Sequence, residues 1–114
     1  MVKAVIFDMD GVLTDSEPVI NAAAIRGLRE WGVEAKPEDF DEFVGMGEDK
    51  YIGGVARKYG VDYVLDMKRR VYEIYLEILP EMIRSFPGVH ALLRELRRRK
   101  MALGVASSAD RIKV

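Results

Sequence analysis

The sequence lacks cysteine altogether and has one histidine among its 114 residues. Disulfide bonds, thiolate catalysis and cysteine-ligated metal sites are therefore excluded. The single histidine, His90, cannot form a histidine metal cluster, and a surface or boundary position is expected for it. No apolar run approaches the ~20 residues of a transmembrane helix, so no membrane span is predicted. The N-terminus also lacks a signal-peptide pattern, which makes the cytoplasm the expected location.

Charge of one sign is not in excess either. Eighteen Lys and Arg face 19 Asp and Glu, for a formal net charge of -1. A broad basic surface for nucleic-acid phosphates is not expected, and no nucleic-acid partner is predicted. The basic run at residues 97–100 is interpreted as the solvated C-terminal end of a helix, where positive charge suits the helix dipole.

Two short apolar runs predict strands, and helical periodicity fills the chain between them. The run Ala4–Phe7 is typical of a strand that is buried on both faces of a parallel sheet. Strand character returns at Met101–Ala106. Ser16 is predicted to cap the first helix of the intervening segment. Gly53 and Gly54 weaken the prediction of a helix around them, and Pro80 is expected to close or bend a long helix that starts near Leu65.

The number of helices between the two strands predicts an insertion. A single helix suffices to connect parallel strands, so the surplus is interpreted as an α-helical cap. The predicted fold class is α/β, with the N-terminal part of a Rossmann-like parallel-sheet core and an inserted helical cap. Residues 1–15 are assigned to the first core strand and its loop, 16–83 to the cap, and 84–114 to a core helix, the second strand and the start of another helix.

Two acids follow the first strand directly. Asp8 and Asp10 are two residues apart, so at the strand end they are expected to face one pocket at the carboxyl edge of the sheet. Two neighbouring carboxylates repel each other unless a cation is present, and Mg²⁺ is the simplest ion with a preference for oxygen ligands. One carboxylate can then attack phosphorus while the other exchanges a proton. Gly11 lets the chain turn and is expected to bring backbone N–H groups near a phosphate.

A family resemblance supports this interpretation. The segment from Phe7 to Glu17 resembles the opening motif of the haloacid dehalogenase superfamily, and residues 105–108 resemble its second motif, an apolar strand that ends in Ser or Thr. The helical insert resembles the cap of the members that are similar to β-phosphoglucomutase and phosphoglycolate phosphatase. The resemblance covers the whole chain.

The resemblance implies a role for each matching residue. Asp8 matches the nucleophile, which forms an aspartyl-phosphate and binds Mg²⁺. Asp10 matches the general acid/base, and its backbone carbonyl matches a metal ligand. Ser107 matches a hydroxyl that donates to the transferring phosphoryl group, and Ser108 beside it is also assigned to phosphate binding. One of the two could instead cap a helix that begins near Asp110 while the other binds. The implied function is Mg²⁺-dependent hydrolysis of a small phosphate ester.

Two groups that the family uses have no match within the 114 residues. The family has a lysine on a later helix and acids after a later strand, which complete the phosphate and Mg²⁺ sites. The isolated chain is therefore expected to hydrolyse phosphate esters poorly. Its strands are also expected to have unpaired edges, through which the chain could associate with itself.

Residues of the predicted cap help to distinguish a phosphatase from a sugar phosphomutase. Sugar phosphomutases of the family have a histidine where this chain has Ile20, and a serine and an arginine where it has Gly47 and Glu48. Lys50 is the nearby cation and is predicted to contact phosphate. A phosphomutase and a non-catalytic regulatory domain of a larger protein remain the alternatives. Residues 45–48 and 107–114 also resemble a plant plastid protein of the family, which makes the plastid the alternative location.

Overall fold

The computed structural model describes residues 2–107 and 109–113, so Ser108, a predicted phosphate-binding residue, lies outside the described residues. The chain forms two compact units. One consists of Met1–Glu17 and Ile83–Val114, and the other is the continuous segment Pro18–Met82. The unit boundaries fall within two residues of the predicted limits of the cap, 16 and 83.

The described elements alternate as the sequence pattern predicts for a core interrupted by helices. In chain order they are β1 (Ala4–Phe7), α1 (Glu17–Arg29), a 3-10 helix (Pro37–Phe43), α2 (Glu48–Lys58), α3 (Leu65–Met82), α4 (Val89–Arg98), β2 (Ala102–Val105) and a 3-10 turn (Arg111–Lys113). Pro80 lies inside α3, which continues to Met82. None of the described helices is long and apolar enough to cross a membrane.

The unit Pro18–Met82, called the cap from here on, contains the buried apolar core of the described chain. Apolar residues at helical spacing on α1, α2 and α3 supply most of it. The buried side chains are Val19, Ala23, Ala24, Leu28, Val33, Phe40, Tyr51, Ile52, Val55, Ala56, Met67, Val71, Ile74 and Tyr75. Helices α1 and α3 approach closely at Gly27, where a Cβ would lie 2.6 Å from Val71 Cγ2.

Two adjacent glycines in α2 make room for aromatic rings. The helix is continuous through Gly53 and Gly54, although glycine costs a helix about 1 kcal/mol per residue relative to alanine. A Cβ at Gly53 would lie 2.9 Å from Cγ of Tyr63, and a Cβ at Gly54 would overlap the ring of Phe43. The glycines therefore weaken the helix locally but permit close packing of both rings.

Polar side chains join the 3-10 helix to the end of α2. The Tyr59 hydroxyl donates a short hydrogen bond to the Asp39 carboxylate, which also accepts from the Lys36 N–H at 2.9 Å. These two hydrogen bonds lower the pKa of Asp39. Lys58 Nζ lies 2.6 Å from a carboxylate oxygen of Glu42. The groups are exposed, so each pair contributes little to stability alone.

The unit that carries the strands has a small parallel sheet. β1 pairs with β2 in the register Ala4–Ala102 to Phe7–Val105. The prediction that β1 is buried on both faces is wrong for this chain, because Ile6 is 72% exposed and no residue of the strand is buried. A second strand, α4 and the short 3-10 turn Arg111–Lys113 accompany β1 in the described part of this unit, which is too little to cover both faces.

We expect Gly54→Ala to destabilise the cap. Alanine recovers about 1 kcal/mol of helix propensity, whereas forcing an extra carbon into a packed site costs about 1–3 kcal/mol, so the net loss is expected to be about 1 kcal/mol. Urea unfolding followed by circular dichroism measures the change. Phe43→Leu should reduce this penalty, and the double variant tests the coupling. Equal effects of Gly54→Ala in both backgrounds would contradict the packing explanation.

Candidate active site

The candidate site starts at the carboxyl end of β1. Asp8 follows the last residue of the strand, is exposed, and accepts a hydrogen bond at Oδ1 from the Met9 N–H at 2.8 Å. Beside it, the Ala106 N–H donates to the Phe7 carbonyl at 2.8 Å and extends the pairing beyond β2. The parallel register therefore brings Asp8 and Ser107, each one residue further along, to the same end of the sheet.

A tight turn follows Asp8 and is built around the carbonyl of Met9. This oxygen accepts from the N–H groups of Leu13 and Thr14 at 3.0 and 3.1 Å, and from the Thr14 hydroxyl at 3.3 Å. Gly11 has φ of 79°, a conformation that costs other residues about 1–2 kcal/mol. Its N–H donates to the Thr14 carbonyl at 2.9 Å, so this group closes the turn. A contact between Gly11 and phosphate stays a prediction.

The second acid has a buried partner. The Ser16 hydroxyl donates a short hydrogen bond to Oδ1 of Asp10. Ser16 is only 6% exposed and Asp10 is half-buried. Ser16 directly precedes α1, as expected for a cap residue, yet the hydrogen bond of its side chain runs back to the acid. One carboxylate oxygen of Asp10 is thereby fixed, and Oδ2 is the atom with which Asp10 can exchange a proton.

Ser107 lies at the start of the turn after β2. Its Oγ accepts a hydrogen bond from the Ala109 N–H at 3.1 Å, and the residue is half-buried. A hydroxyl that accepts through its oxygen can still donate its proton elsewhere. The local turn and the predicted bond to a phosphoryl oxygen are therefore compatible. The predicted helix after Ser107 is a short 3-10 turn at Arg111–Lys113 in the structure.

Two backbone contacts hold the chain segments on either side of the cap together. The Asp15 N–H donates to the Arg84 carbonyl at 2.6 Å, and Thr14 forms an antiparallel bridge with Ser85. Thr14 also bridges Asp10. The turn that carries the acids is therefore attached to the segment that leads into α4.

The remaining predicted phosphate contact lies in the cap. Lys50 is exposed, in the first turn of α2. Its contact with a phosphate stays a prediction.

The donor set after β1 is of the type that Mg²⁺ prefers. The Asp8 carboxylate and the Asp10 backbone carbonyl are hard oxygen donors. Within residues 2–107 and 109–113, however, no group of three or more His, Cys, Asp or Glu side chains could hold a metal ion. These two oxygen donors fit Mg²⁺ in chemistry and would supply part of its coordination.

A protein-family model agrees with this arrangement of strands, acids and turn. The model for haloacid dehalogenase-like hydrolases matches residues 5–114 of the chain. The chain belongs to this family. Its fold is accordingly part of the Rossmann-like α/β core of a haloacid dehalogenase-like hydrolase with an α-helical cap, as the sequence predicted.

Two curated relatives of this haloacid dehalogenase-like chain differ in length. The chain is 44% identical over 120 residues to Protein SUPPRESSOR OF QUENCHING 1, chloroplastic, from Arabidopsis thaliana, covering 99% of the chain and 11% of that protein. It is 32% identical over 111 residues to a phosphoglycolate phosphatase from Synechococcus elongatus, covering 96% of the chain and 50% of the enzyme. The chain therefore spans only part of each relative.

A solved structure of the family shares the fold. The crystal structure of a predicted phosphoglycolate phosphatase from Haemophilus somnus superimposes with a TM-score of 0.86 at 21% identity. The match covers 99% of this chain and 54% of that one. At this identity the comparison shows the fold alone.

Sequence reasoning missed how the first motif is held together. It assigned Ser16 to a helix cap and gave Thr14 no role. The structure has Ser16 bonded to Asp10 and Thr14 to Met9 and Ser85. The sequence does show a hydroxyl residue, Ser16, six residues after Asp10, with Gly11 between them. The sequence alone does not predict their hydrogen bond, because the bond depends on the left-handed conformation of Gly11.

We expect Gly11→Ala to loosen this turn because of backbone strain alone. No atom lies within 4 Å of the added Cβ, so the expected cost is about 1–2 kcal/mol from the positive φ. Faster hydrogen exchange at the Leu13 and Thr14 amides would report it. Gly11→Asn is the matched control, since asparagine tolerates this conformation better. Equal exchange in both variants would argue against strain.

Proposed function

We propose that the chain provides the nucleophile half of a Mg²⁺-dependent phosphatase that acts on a small phosphorylated metabolite. The observation that carries the proposal is the position of Asp8 and Asp10 directly after β1, with Ser107 at the same end of the sheet. Carboxylates and a hydroxyl at the carboxyl ends of parallel strands are well placed for a ligand. The family membership of the chain supports the same reaction class.

The first proposed step is attack by an Asp8 oxygen on phosphorus. An Asp8 O–P bond forms and the bond from phosphorus to the ester oxygen breaks, giving an aspartyl-phosphate. The leaving oxygen takes a proton from Asp10, which Ser16 orients through the other carboxylate oxygen. The Ser107 hydroxyl donates to a phosphoryl oxygen.

The second proposed step restores the enzyme. Asp10, now a carboxylate, takes a proton from a water molecule that attacks phosphorus, and the Asp8 O–P bond breaks to release phosphate. Mg²⁺, when bound by Asp8 and the Asp10 carbonyl, supplies positive charge that favours approach of the anionic ester.

The phosphomutase alternative is less well supported. α2 begins at Glu48, and a carboxylate in the first turn stabilises the positive end of the helix dipole. The same charge opposes a second phosphate at the position where mutases of the family have an arginine. Ile20, half-buried on α1, likewise has no ionisable group in place of their histidine.

We propose the cytoplasm as the compartment, with the plastid as the alternative. The absence of cysteine suits a reducing compartment, for which the cytoplasm is the default. The name of the Arabidopsis relative places that protein in the chloroplast, which favours the plastid as the alternative.

We expect Asp8→Asn to abolish hydrolysis. The test protein is a chimera in which residues 1–114 are fused to the half of the Synechococcus enzyme that this chain does not match. The amide is a poor nucleophile and a poor Mg²⁺ ligand, so turnover of p-nitrophenyl phosphate and phosphoglycolate should fall below about 1%. Asp15→Asn is the matched control and should retain activity.

Two results would count against the proposal. Substantial activity in Asp8→Asn would exclude Asp8 as the nucleophile. A folded wild-type chimera that hydrolyses neither ester at millimolar Mg²⁺ would favour a non-catalytic regulatory domain.

Asp10→Asn should slow phosphoglycolate hydrolysis far more than p-nitrophenyl phosphate hydrolysis. A poor alkyl leaving group needs the proton, and general acid catalysis is typically worth about 10²–10⁴-fold. Ser16→Ala should produce the same leaving-group dependence to a smaller extent, because the hydroxyl orients Asp10. Ser16→Thr keeps a hydroxyl and should restore the wild-type rate of phosphoglycolate hydrolysis. Single-turnover rates for both esters measure the effect. Equal slowing of the two esters would rule out Asp10 as the acid.

A further inference from the structure

The charges of the chain are distributed unevenly between its two units. The unit that carries the strands has nine Lys and Arg against six Asp and Glu, a formal charge of +3, whereas the cap has nine against 13, a formal charge of -4. In the positive unit, six cations and one acid are concentrated near the end of α4 and the start of β1. They are Lys3, Arg94, Glu95, Arg97, Arg98, Arg99 and Lys100. We call these seven residues the basic patch.

The sheet brings the two parts of the basic patch to one end. After α4 the Met101 N–H donates to the Leu96 carbonyl at 3.1 Å, which turns the chain towards β2. The next N–H, that of Ala102, donates to the Lys3 carbonyl at 3.1 Å. The end of α4 and the start of β1 therefore lie together at the amino end of the sheet, opposite to the candidate site.

Most of the positive charge in the basic patch is not neutralised within the chain. All six cations are exposed. Glu95 pairs with Arg98 at 2.7 Å and with Arg99 at 3.0 Å, and hydrogen bonds from both lower the pKa of Glu95 to about 2. Among the described residues, the other four cations form no ion pair with an acidic side chain. The helix dipole favours cations in the last turn of α4, yet Arg94 precedes that turn and Lys3 lies outside the helix.

Lys100 has a backbone conformation that is typical of glycine. Its φ is 57°, and among the described residues it is the one non-glycine with positive φ. Its N–H donates to the Arg97 carbonyl at 2.9 Å, in a turn where helices commonly end with glycine. A lysine is strained in this conformation, and what it adds relative to glycine is a charged side chain.

We propose that the basic patch binds the headgroups of an anionic phospholipid bilayer. Four of its six cations are arginine, whose planar guanidinium can donate two parallel hydrogen bonds to phosphate oxygens. The exposed side and end of a helix form a convex surface, which can meet a flat layer of headgroups. Each Lys or Arg held at an anionic bilayer strengthens binding about five-fold, so the four cations without an ion pair favour binding by about 10²–10³-fold.

Nucleic acid fits the basic patch less well. Single strands are usually bound through aromatic side chains on which the bases stack, and residues 87–106 contain no Phe, Tyr or Trp. A duplex would extend beyond the patch, although the chain as a whole has a formal net charge of -1. A bilayer touches only the surface that faces it.

Binding through the basic patch would leave the candidate site open to solution. Lys3 and Asp8 flank β1 at its two ends, so their backbones are roughly 15 Å apart. A chain held at the amino end of its sheet can therefore still take a soluble phosphate ester at the other end. Lipid binding does not depend on the proposed function, and each can fail without the other.

Vesicle flotation through a sucrose gradient tests the proposal, because bound chain rises with the vesicles whereas aggregated chain sinks. The 114-residue chain is mixed with vesicles of phosphatidylcholine, with or without phosphatidylglycerol. We expect binding to the anionic vesicles only, in about 0.1 M NaCl, and its loss in about 1 M NaCl because salt screens the charges. The triple variant Arg94→Gln/Arg97→Gln/Lys100→Gln removes three charges that no ion pair uses and should weaken binding about 100-fold.

The triple variant Arg26→Gln/Lys36→Gln/Arg57→Gln is the matched control. Its three cations are exposed and lie in the cap, so it has the same net charge as the patch variant and should bind like the wild type. Lys100→Gly separates charge from structure. It should weaken binding about five-fold without lowering the urea midpoint of unfolding, because glycine relieves the strained backbone.

Four results would overturn the proposal. The first is that the chain does not float with anionic vesicles. The second is equal binding to vesicles with and without phosphatidylglycerol. The third is equal weakening by the patch variant and the cap variant. The fourth is binding to labelled RNA that is tighter than binding to vesicles and is lost in the patch variant, which would identify nucleic acid as the partner.

Discussion

The parallel pairing of β1 with β2 is the constraint on which the candidate site depends. It aligns Phe7 with Val105 and so brings Asp8 and Ser107 to one end of the sheet. The two strands are far apart in sequence, with the entire cap between them. Two backbone contacts, from Asp15 to Arg84 and from Thr14 to Ser85, stabilise the geometry by holding the entrance and exit of the insertion together.

The two units obtain their stability differently. In the cap, helices pack around buried apolar residues. Gly53 and Gly54 lower the helix propensity of α2 but leave space for two aromatic rings. In the unit with the strands, hydrogen bonds in the sheet and in the turn at Gly11 fix the backbone, while none of the described apolar side chains is fully buried. The two acids of the candidate site are therefore positioned mainly by the backbone and by one hydroxyl, that of Ser16.

The sequence predicted what local patterns determine. The strand Ala4–Phe7, the acids after it and the helical insertion all follow from residues that are close in the chain. The rest depends on distant partners. The exposure of Ile6 depends on what covers the sheet, the partner of Ser16 depends on the path of the turn, and the need for Gly54 depends on a ring eleven residues earlier in the chain. Periodicity carries no information about such contacts.

The insertion of the cap between paired strands also bears on the order of folding. Contacts within the cap, such as Gly27 with Val71, span less of the chain than the pairing of Ala4 with Ala102, which must close a loop over most of it. Contacts between residues that are closer in sequence form faster. During synthesis β1 leaves the ribosome first, and it cannot pair before β2 has also emerged. A folded cap then reduces the distance over which the two strands must find each other, since the ends of a compact domain lie closer together than those of an unfolded chain. The folded cap is thus expected to speed the pairing of the strand that precedes it.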